Sequence, residues 1–262
     1  MDKKHRHNYR EKGTYLICDC GKRILKLEPS NNEGLLIGKQ SSGKTYSVRD
    51  SRKRYFFPDE WIKFNKTLTN SKHLFFYTTL LHTGARIMEA LHIKYGDINI
   101  DRGTIKLRVV KQRKAKRNFY ATGTSREFFV ASNYIKSYKV YIRGKKIDPD
   151  KYIFLNNDKL PKNYDNLTNK EKMKYYQTRS GAYSRLFKRK LKEAGIEDYW
   201  NFSPHNIRKT YGNWMRTLKI EIGELCYRLG HDLDTYLAHY GSSLIFTPQE
   251  VRKIENIFGD VK

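Results

Sequence analysis

Along most of the chain apolar positions recur at three- and four-residue spacing, the mark of helices that turn one face to a core. Leu74–Leu81, Arg86–Leu91 and residues 181–194 (GAYSRLFKRKLKEA) carry this period, and at the C-terminal end Val251, Ile254, Ile257 and Phe258 form a stripe. Helix starts are marked as well. Phe57-Pro58-Asp59-Glu60-Trp61, Ser203-Pro204 and Thr247-Pro248-Gln249-Glu250 place proline in a first turn, with acids there or a hydroxyl ahead of it. Thr124-Ser125-Arg126-Glu127 has the T-x-x-E spacing of a capping box, which predicts a helix carrying Phe128, Phe129, Tyr134, Ile135 and Tyr138. Period two replaces this pattern at 104–110 (TIKLRVV) and again near 118–122, on either side of the basic stretch 111–117, predicting a hairpin with a positive tip. Residues 156–180 are polar, rich in Asn, Lys and Tyr, and without a clear period, so they read as a long surface loop or disordered insertion. In residues 1–54 Gly and Ser punctuate short apolar runs such as Tyr15-Leu16-Ile17 and Leu35-Leu36-Ile37. This predicts a small β-rich appendage over 1–54 and a main domain over 55–262.

Composition changes the picture in two ways. Apolar residues make up only 38% of the chain while aromatics reach 14%, with 20 Tyr and 13 Phe, so the core must lean on amphipathic rings. The formal net charge of +26 repels itself unless a polyanion neutralises it, which makes nucleic acid the expected partner. A membrane surface would call for a basic amphipathic helix with a clean apolar face, and none is found. No stretch approaches the ~20 apolar residues of a membrane span, and the basic N-terminus leads into no apolar run. The expected location is cytoplasmic and DNA-associated, in a reducing compartment that suits three sparse cysteines.

Two motifs compete for attention in the appendage. Gly38-Lys39-Gln40-Ser41-Ser42-Gly43-Lys44-Thr45 fits the P-loop pattern in full. A phosphate-binding loop needs a helix starting at Lys44, yet Thr45–Tyr55 has no apolar helical stripe, and no apolar strand ending in an acid follows to hold magnesium. A β-turn is therefore the expected structure. His5, His7, Cys18 and Cys20 offer four donors for a tetrahedral zinc ion, though H-x-H followed by C-x-C is not a standard spacing; free thiols and histidines are the alternative.

Three separated segments carry candidate chemistry: 83–98 (TGARIMEALHIKYGDI), 203–214 (SPHNIRKTYGNW) and 229–240 (LGHDLDTYLAHY). Displacement at a phosphodiester loads charge onto non-bridging oxygens, which guanidinium forks meet bidentately. His205 and Arg208 are three apart, so on a helix they share a face, and Ser203-Pro204 puts them in the first turns, where the helix dipole also favours phosphate. In order and spacing, T-G-x-R-x-x-E, a basic hairpin, H-x-x-R, L-G-H and a tyrosine nine residues past that histidine resemble the tyrosine recombinase, or phage-type integrase, family, over roughly residues 57–258. Each motif alone is weak: His7-Asn8-Tyr9-Arg10 also fits H-x-x-R.

The resemblance implies a mixed α/β, mainly helical catalytic domain with a small sheet on one edge, acting as a homotetramer on double-stranded DNA. It implies strand cleavage and rejoining through a 3′-phosphotyrosine, with Tyr240 as nucleophile, Arg86 and Arg208 on the phosphate, His205 as base and His231 as a donor to the phosphate. A hairpin lysine would protonate the departing 5′ oxygen; Lys106, Lys111, Lys114 and Lys116 are candidates, Lys111 preferred and Lys114 next. No cofactor, metal or ATP is expected, because a phosphotyrosine conserves the bond energy. Tyr236 and Tyr211 are the rival nucleophiles by proximity. Glu89, one turn from Arg86, either orients that guanidinium or forms a plain surface pair, and Asp97 is expected to be structural. In the family the C-terminal helix often packs on a neighbouring protomer; packing on its own domain is the alternative. Members commonly carry a longer N-terminal helical domain that clamps DNA, and residues 1–54 imply a different clamp or none. A type IB topoisomerase, a catalytically silent DNA-binding protein and a P-loop ATPase are the other readings of the same residues.

Overall fold

The computed structural model describes residues 55–108, 125–197, 199–240 and 246–261, and the backbone of five short strands in the first fifty residues. The chain divides into two units, Met1–Asp50 and Ser51–Lys262. In the first, β1 (Tyr9–Lys12), β2 (Tyr15–Cys18) and β3 (Arg23–Leu25) form an antiparallel sheet in that order, and β4 (Ile37–Lys39) pairs with β5 (Thr45–Ser47). The P-loop pattern thus spans a hairpin: Gly38 pairs with Tyr46 and Lys39 with Thr45, so a strand stands where a phosphate-binding helix would start. Of the zinc donors, Cys18 ends β2, while His5, His7 and Cys20 lie outside the described residues.

The second unit is built around α2 (Ser71–Thr83). Asn70 caps it, its side-chain oxygen accepting from the backbone N–H of Lys72 and His73, and Gly84 ends it in the left-handed region at φ 60°. Phe75, Phe76, Tyr77, Leu80 and Leu81 are all buried, so α2 is apolar nearly all round and must run through the core. Against it pack α1 (Pro58–Lys66), α3 (Ile87–Leu91), α4 (Ser132–Ile142), α5 (Asn169–Glu193) and α6 (Pro204–Thr217). The helices α7 (Ile222–Leu229), α8 (Leu233–Tyr240) and α9 (Pro248–Phe258) complete the helical set described. Among the described residues no helix is long and apolar enough to cross a membrane.

Rings fill this core as the composition requires. Phe75 stacks on Tyr134, Tyr138 and Tyr141, and Phe76 on Tyr183. The buried Tyr77 hydroxyl donates to the Tyr183 carbonyl at 2.7 Å. The indole of Trp214 donates to the Phe56 carbonyl at 3.1 Å, tying α6 to the segment that leads into α1.

A three-stranded antiparallel sheet, β6 (Ile98–Asn99), β7 (Thr104–Arg108) and β8 (Ser125–Phe129), accompanies the helices. Here one expectation fails. The T-x-x-E at Thr124–Glu127 does not cap a helix: Ser125–Phe129 is the returning hairpin strand, with Arg126 and Phe128 inward and Glu127 and Phe129 more exposed. Glu127 accepts from the Thr104 hydroxyl across the ladder at 2.8 Å, and the helix starts only at Ser132. The extended run expected near 118–122 lies outside the described residues.

Residues 156–180 are likewise not a structureless loop. Two short 3₁₀ turns, Asn157–Lys159 and Tyr164–Asn166, lead into α5, whose N-terminus is fixed by a Thr168/Glu171 capping box. Tyr164 and Tyr176 are buried, so the segment has a core face made of phenols.

The C-terminal stripe packs on its own domain. Ile254 and Phe258 are fully buried, the Phe258 ring lies 4.6 Å from that of His82, and Asn133 donates to the Asn256 carbonyl at 2.9 Å. An ion pair from Lys253 to Asp59 at 2.8 Å joins α9 to α1.

Candidate active site

The turn after α2 positions the first arginine. Gly84 has positive φ, and a Cβ there would lie 2.4 Å from the Tyr211 ring and 2.8 Å from Leu229. With no side chain at Gly84, α2 approaches α6 and α7 closely, and Arg86 becomes the N-cap of α3.

Glu89, in the same turn of α3, is buried and not a surface pair. Its carboxylate accepts from the backbone N–H of Arg86 at 2.9 Å, from Arg86 Nη1 at 3.0 Å and from Arg126 Nη2 at 2.8 Å. Arg208 Nη1 stands 3.9 Å away. Burial alone would raise the Glu89 pKa, but Arg126, Arg208 and Arg86 outweigh it and hold the carboxyl at about 2. One carboxylate therefore gathers three guanidinium groups from α3, β8 and α6.

Arg208 is completely buried on the first turns of α6. It donates to the Gly84 carbonyl at 2.6 Å and to the Leu229 carbonyl, bracing the ends of α2 and α7. The Arg86 side chain is 38% exposed, which makes it the more open of the two motif arginines. Its Nη2 lies 3.3 Å from Nε2 of His231. Because a guanidinium only donates, Nε2 accepts in this arrangement. His231 itself is held by the αL turn at Gly230, with its backbone N–H bonded to the Cys226 carbonyl at 3.0 Å. His205 sits in the first turn of α6 on the exposed side, one turn ahead of Arg208.

The tyrosines differ sharply. Tyr236 is fully buried and its hydroxyl donates to the Gly212 carbonyl at 3.4 Å. Tyr211 is buried beside Gly84, and burial raises its pKa. Tyr240 is the last residue of α8; its side chain lies outside the described residues. Of the hairpin lysines, Lys106 lies on β7 opposite Glu127, whereas Lys111, Lys114 and Lys116 lie outside the described residues. Asp97 is structural, as expected: it is buried, accepts from the Lys94 N–H at 2.7 Å and pairs with Arg108.

Arg126 belongs to none of the three segments that carry candidate chemistry. Its signal was the inward phase of a strand that a charged residue disguised.

Residues 58–244 match the phage integrase family. The chain belongs to that family. Solved structures agree in fold. A XerA recombinase superposes with a TM-score of 0.51 at 17% identity, over 79% of this chain and 64% of that one. The Tn1549 transposon integrase, in complex with transposon right end DNA, gives 0.54 at 17%, over 82% and 69%, and with a circular intermediate DNA 0.53 at 18%, over 78% and 66%. The chain thus spans just under two thirds of XerA. No curated protein matches it in sequence. Within the integrase fold, the cluster around Glu89 is assembled from all three motif segments and the hairpin.

Proposed function

We propose that this integrase-family chain cleaves and rejoins double-stranded DNA at specific sites through a 3′-phosphotyrosine on Tyr240. The observation that carries the reading is the convergence of three distant segments: Arg86 and Arg208 meet on one buried carboxylate, and His231 stands against Arg86. Such a cluster holds cations ready for a phosphate, which is where catalytic electrostatics acts most strongly. Arg86, with the more open side chain, meets the non-bridging oxygens, while Arg208 bears on them by charge from a site where water screens poorly. The fork that braces the two carbonyls also fixes the geometry.

In the reaction the phenolic oxygen of Tyr240 bonds to phosphorus and the bond to the 5′ oxygen breaks. His205 takes the phenol proton, and Lys111, or failing it Lys114, gives one to the departing 5′ oxygen. His231 leaves Arg86 and, with Nε2 protonated from solvent, donates to the phosphate. Rejoining runs the same steps backwards with a 5′ hydroxyl as nucleophile, so neither ATP nor metal enters. The burial of Tyr236 and Tyr211 supports Tyr240 over its rivals, since a phenol engaged in the core does not reach DNA. Exchange between two duplexes needs a homotetramer, which is part of the proposal.

The test offers the full chain a randomised pool of nicked duplexes, from which a cleaved strand cannot be resealed. A denaturation-resistant protein–DNA adduct is expected, retained in Tyr236→Phe and lost in Tyr240→Phe. An adduct in Tyr240→Phe overturns the assignment. Supercoiled plasmid separates recombination from topoisomerase action: relaxation without exchange between paired sites favours the latter.

A further inference from the structure

At the end of α2 remote from Gly84, Lys72 and His73 occupy the first turn, where no acid offsets them and the helix dipole already favours an anion. About 20 Å of helix separates this end from the turn that leads to Arg86 and Glu89. Two other elements add cations to it. Lys145, just past α4, lies 3.2 Å over the Tyr141 ring, which stacks on Phe75 at 4.6 Å. Arg179 of α5 lies 5.2 Å over the Tyr183 ring, which stacks on Phe76 at 3.7 Å and meets the His73 ring at 5.9 Å. Burial lowers the pKa of both Lys72 and His73, and neighbouring cations lower it further: Arg179 and Lys145 act on Lys72, and Arg179, Lys72, Arg189 and Lys190 act on His73. Among the described residues, none of Lys72, His73, Lys145 and Arg179 has a carboxylate at ion-pair distance; Lys190 alone in this patch does, with Glu193 at 2.8 Å. Repulsion is thus gathered on one face and left uncompensated within the described fold.

We propose that this face, made by the start of α2, the residues after α4 and the middle of α5, binds the phosphate backbone of a second stretch of double-stranded DNA. It does so without reading sequence and apart from the duplex at the candidate active site. Arg179 and Lys190 are eleven residues apart on one face of α5, which sets them about 16 Å apart along the helix. A duplex laid over that length carries about nine phosphates, ample charge to neutralise the patch. The choice of duplex follows from the rings beneath the cations. Phe75, Phe76, Tyr141 and Tyr183 are all buried, so unpaired bases find no flat face to stack on and a lipid layer finds no ring to take in. What the face offers is long cationic side chains, which suit a backbone. The proposal goes beyond the strand-cleavage reading and does not depend on it.

The experiment mixes the full chain with a duplex of arbitrary sequence that carries abasic aldehydes. Borohydride fixes each Schiff base to the lysine that forms it, and mass spectrometry of the digested chain locates those lysines. Capture at Lys72 and Lys145 is expected at low salt and should fade as salt rises. Titration should also show a second duplex taken up per chain. For that step, Lys72→Gln combined with Lys145→Gln should flatten the slope of log affinity against log salt by about 1.8, two phosphate contacts at about 0.9 each. The same double variant should melt no lower than the unaltered chain, because it removes repulsion, so a lost fold does not imitate the result. Capture confined to other lysines, no capture at all, uptake of one duplex only, or an unchanged slope overturns the proposal. So does stronger capture by a single strand bearing the same aldehydes. Neither readout involves strand cleavage, so a failed adduct assay leaves this proposal standing and a failed capture leaves the role of Tyr240 untouched.

Discussion

Replacing Glu89 by glutamine removes one charge and almost no volume, and the cluster predicts a large effect. The carboxylate touches Arg86 and Arg126 at 3.0 and 2.8 Å and faces Arg208 at 3.9 Å. In the unfolded chain its ordinary value is 4.5; in the fold it is held at about 2. At 1.36 kcal/mol per pH unit, that difference favours the folded state by about 3 kcal/mol at neutral pH. Removing one partner of a buried ion pair gives an independent figure of about 3–5 kcal/mol, because Arg126 and Arg208 would remain buried and uncompensated. Glu89→Gln should therefore lower the urea midpoint at pH 7 by roughly 1.5–2.5 M, at a slope of about 2 kcal/mol per molar.

The pH dependence separates this cause from a packing defect. A carboxyl with a depressed folded pKa contributes stability that is fully present above 4.5 and is lost as pH falls through that value towards 2. The gap between the two proteins should then be widest at pH 7 and shrink across that window, as the unaltered protein loses what the variant never had. Urea titrations at pH 7, 5, 4 and 3 measure it. A gap below about 0.5 kcal/mol at pH 7, no more than an ordinary surface change, would refute the reasoning, and so would a gap independent of pH.

The other outcomes follow from the same geometry. His82 is fully buried and burial holds its pKa down at about 3 against 6.5, so its contribution is complete above 6.5 and is lost as pH falls towards 3; His82→Leu should flatten that part of an acid-unfolding curve by several kcal/mol. Gly84→Ala combines left-handed strain with an overlap on the Tyr211 ring and should cost about 2–5 kcal/mol, read by thermal melting. Phe258→Ala empties a fully buried site under α9 and should cost about 3–5 kcal/mol. Protection of α4 and α9 amides from hydrogen exchange should fall with it.

What the sequence revealed of the site was what is local in it. Arg86, His205, Arg208 and His231 are found by spacings of a few residues, because one helical turn or one tight turn fixes each of them. Glu89 stayed ambiguous because its burial is decided by β8 and α6, which arrive from 37 and more residues away. The strand β8 is hidden for a related reason. A T-x-x-E pattern is judged over four residues, whereas the strand is recognised only by pairing with β7, and the inward Arg126 breaks the apolar alternation that would have announced it. In α5 the inward positions Tyr176, Tyr183, Phe187 and Leu191 keep helical spacing, but in the segment's first half lysines and asparagines dilute the pattern until only the Thr168/Glu171 cap remains readable.

Arg126 also shows why the site needs an acid at its centre. A surface shaped for a phosphate must keep cations close together before the phosphate arrives, and bare guanidinium groups a few ångströms apart would repel by several kcal/mol at a protein-like dielectric. Glu89 removes that repulsion among Arg86, Arg126 and Arg208 while leaving the cluster net positive. An apolar residue in its place would leave Arg126 and Arg208 buried without a counter-charge. A second carboxylate would cancel the field that the phosphate has to feel. One buried carboxylate for three arginines satisfies both requirements, and it does so with groups already in position, so little reorganisation is left for the moment of reaction.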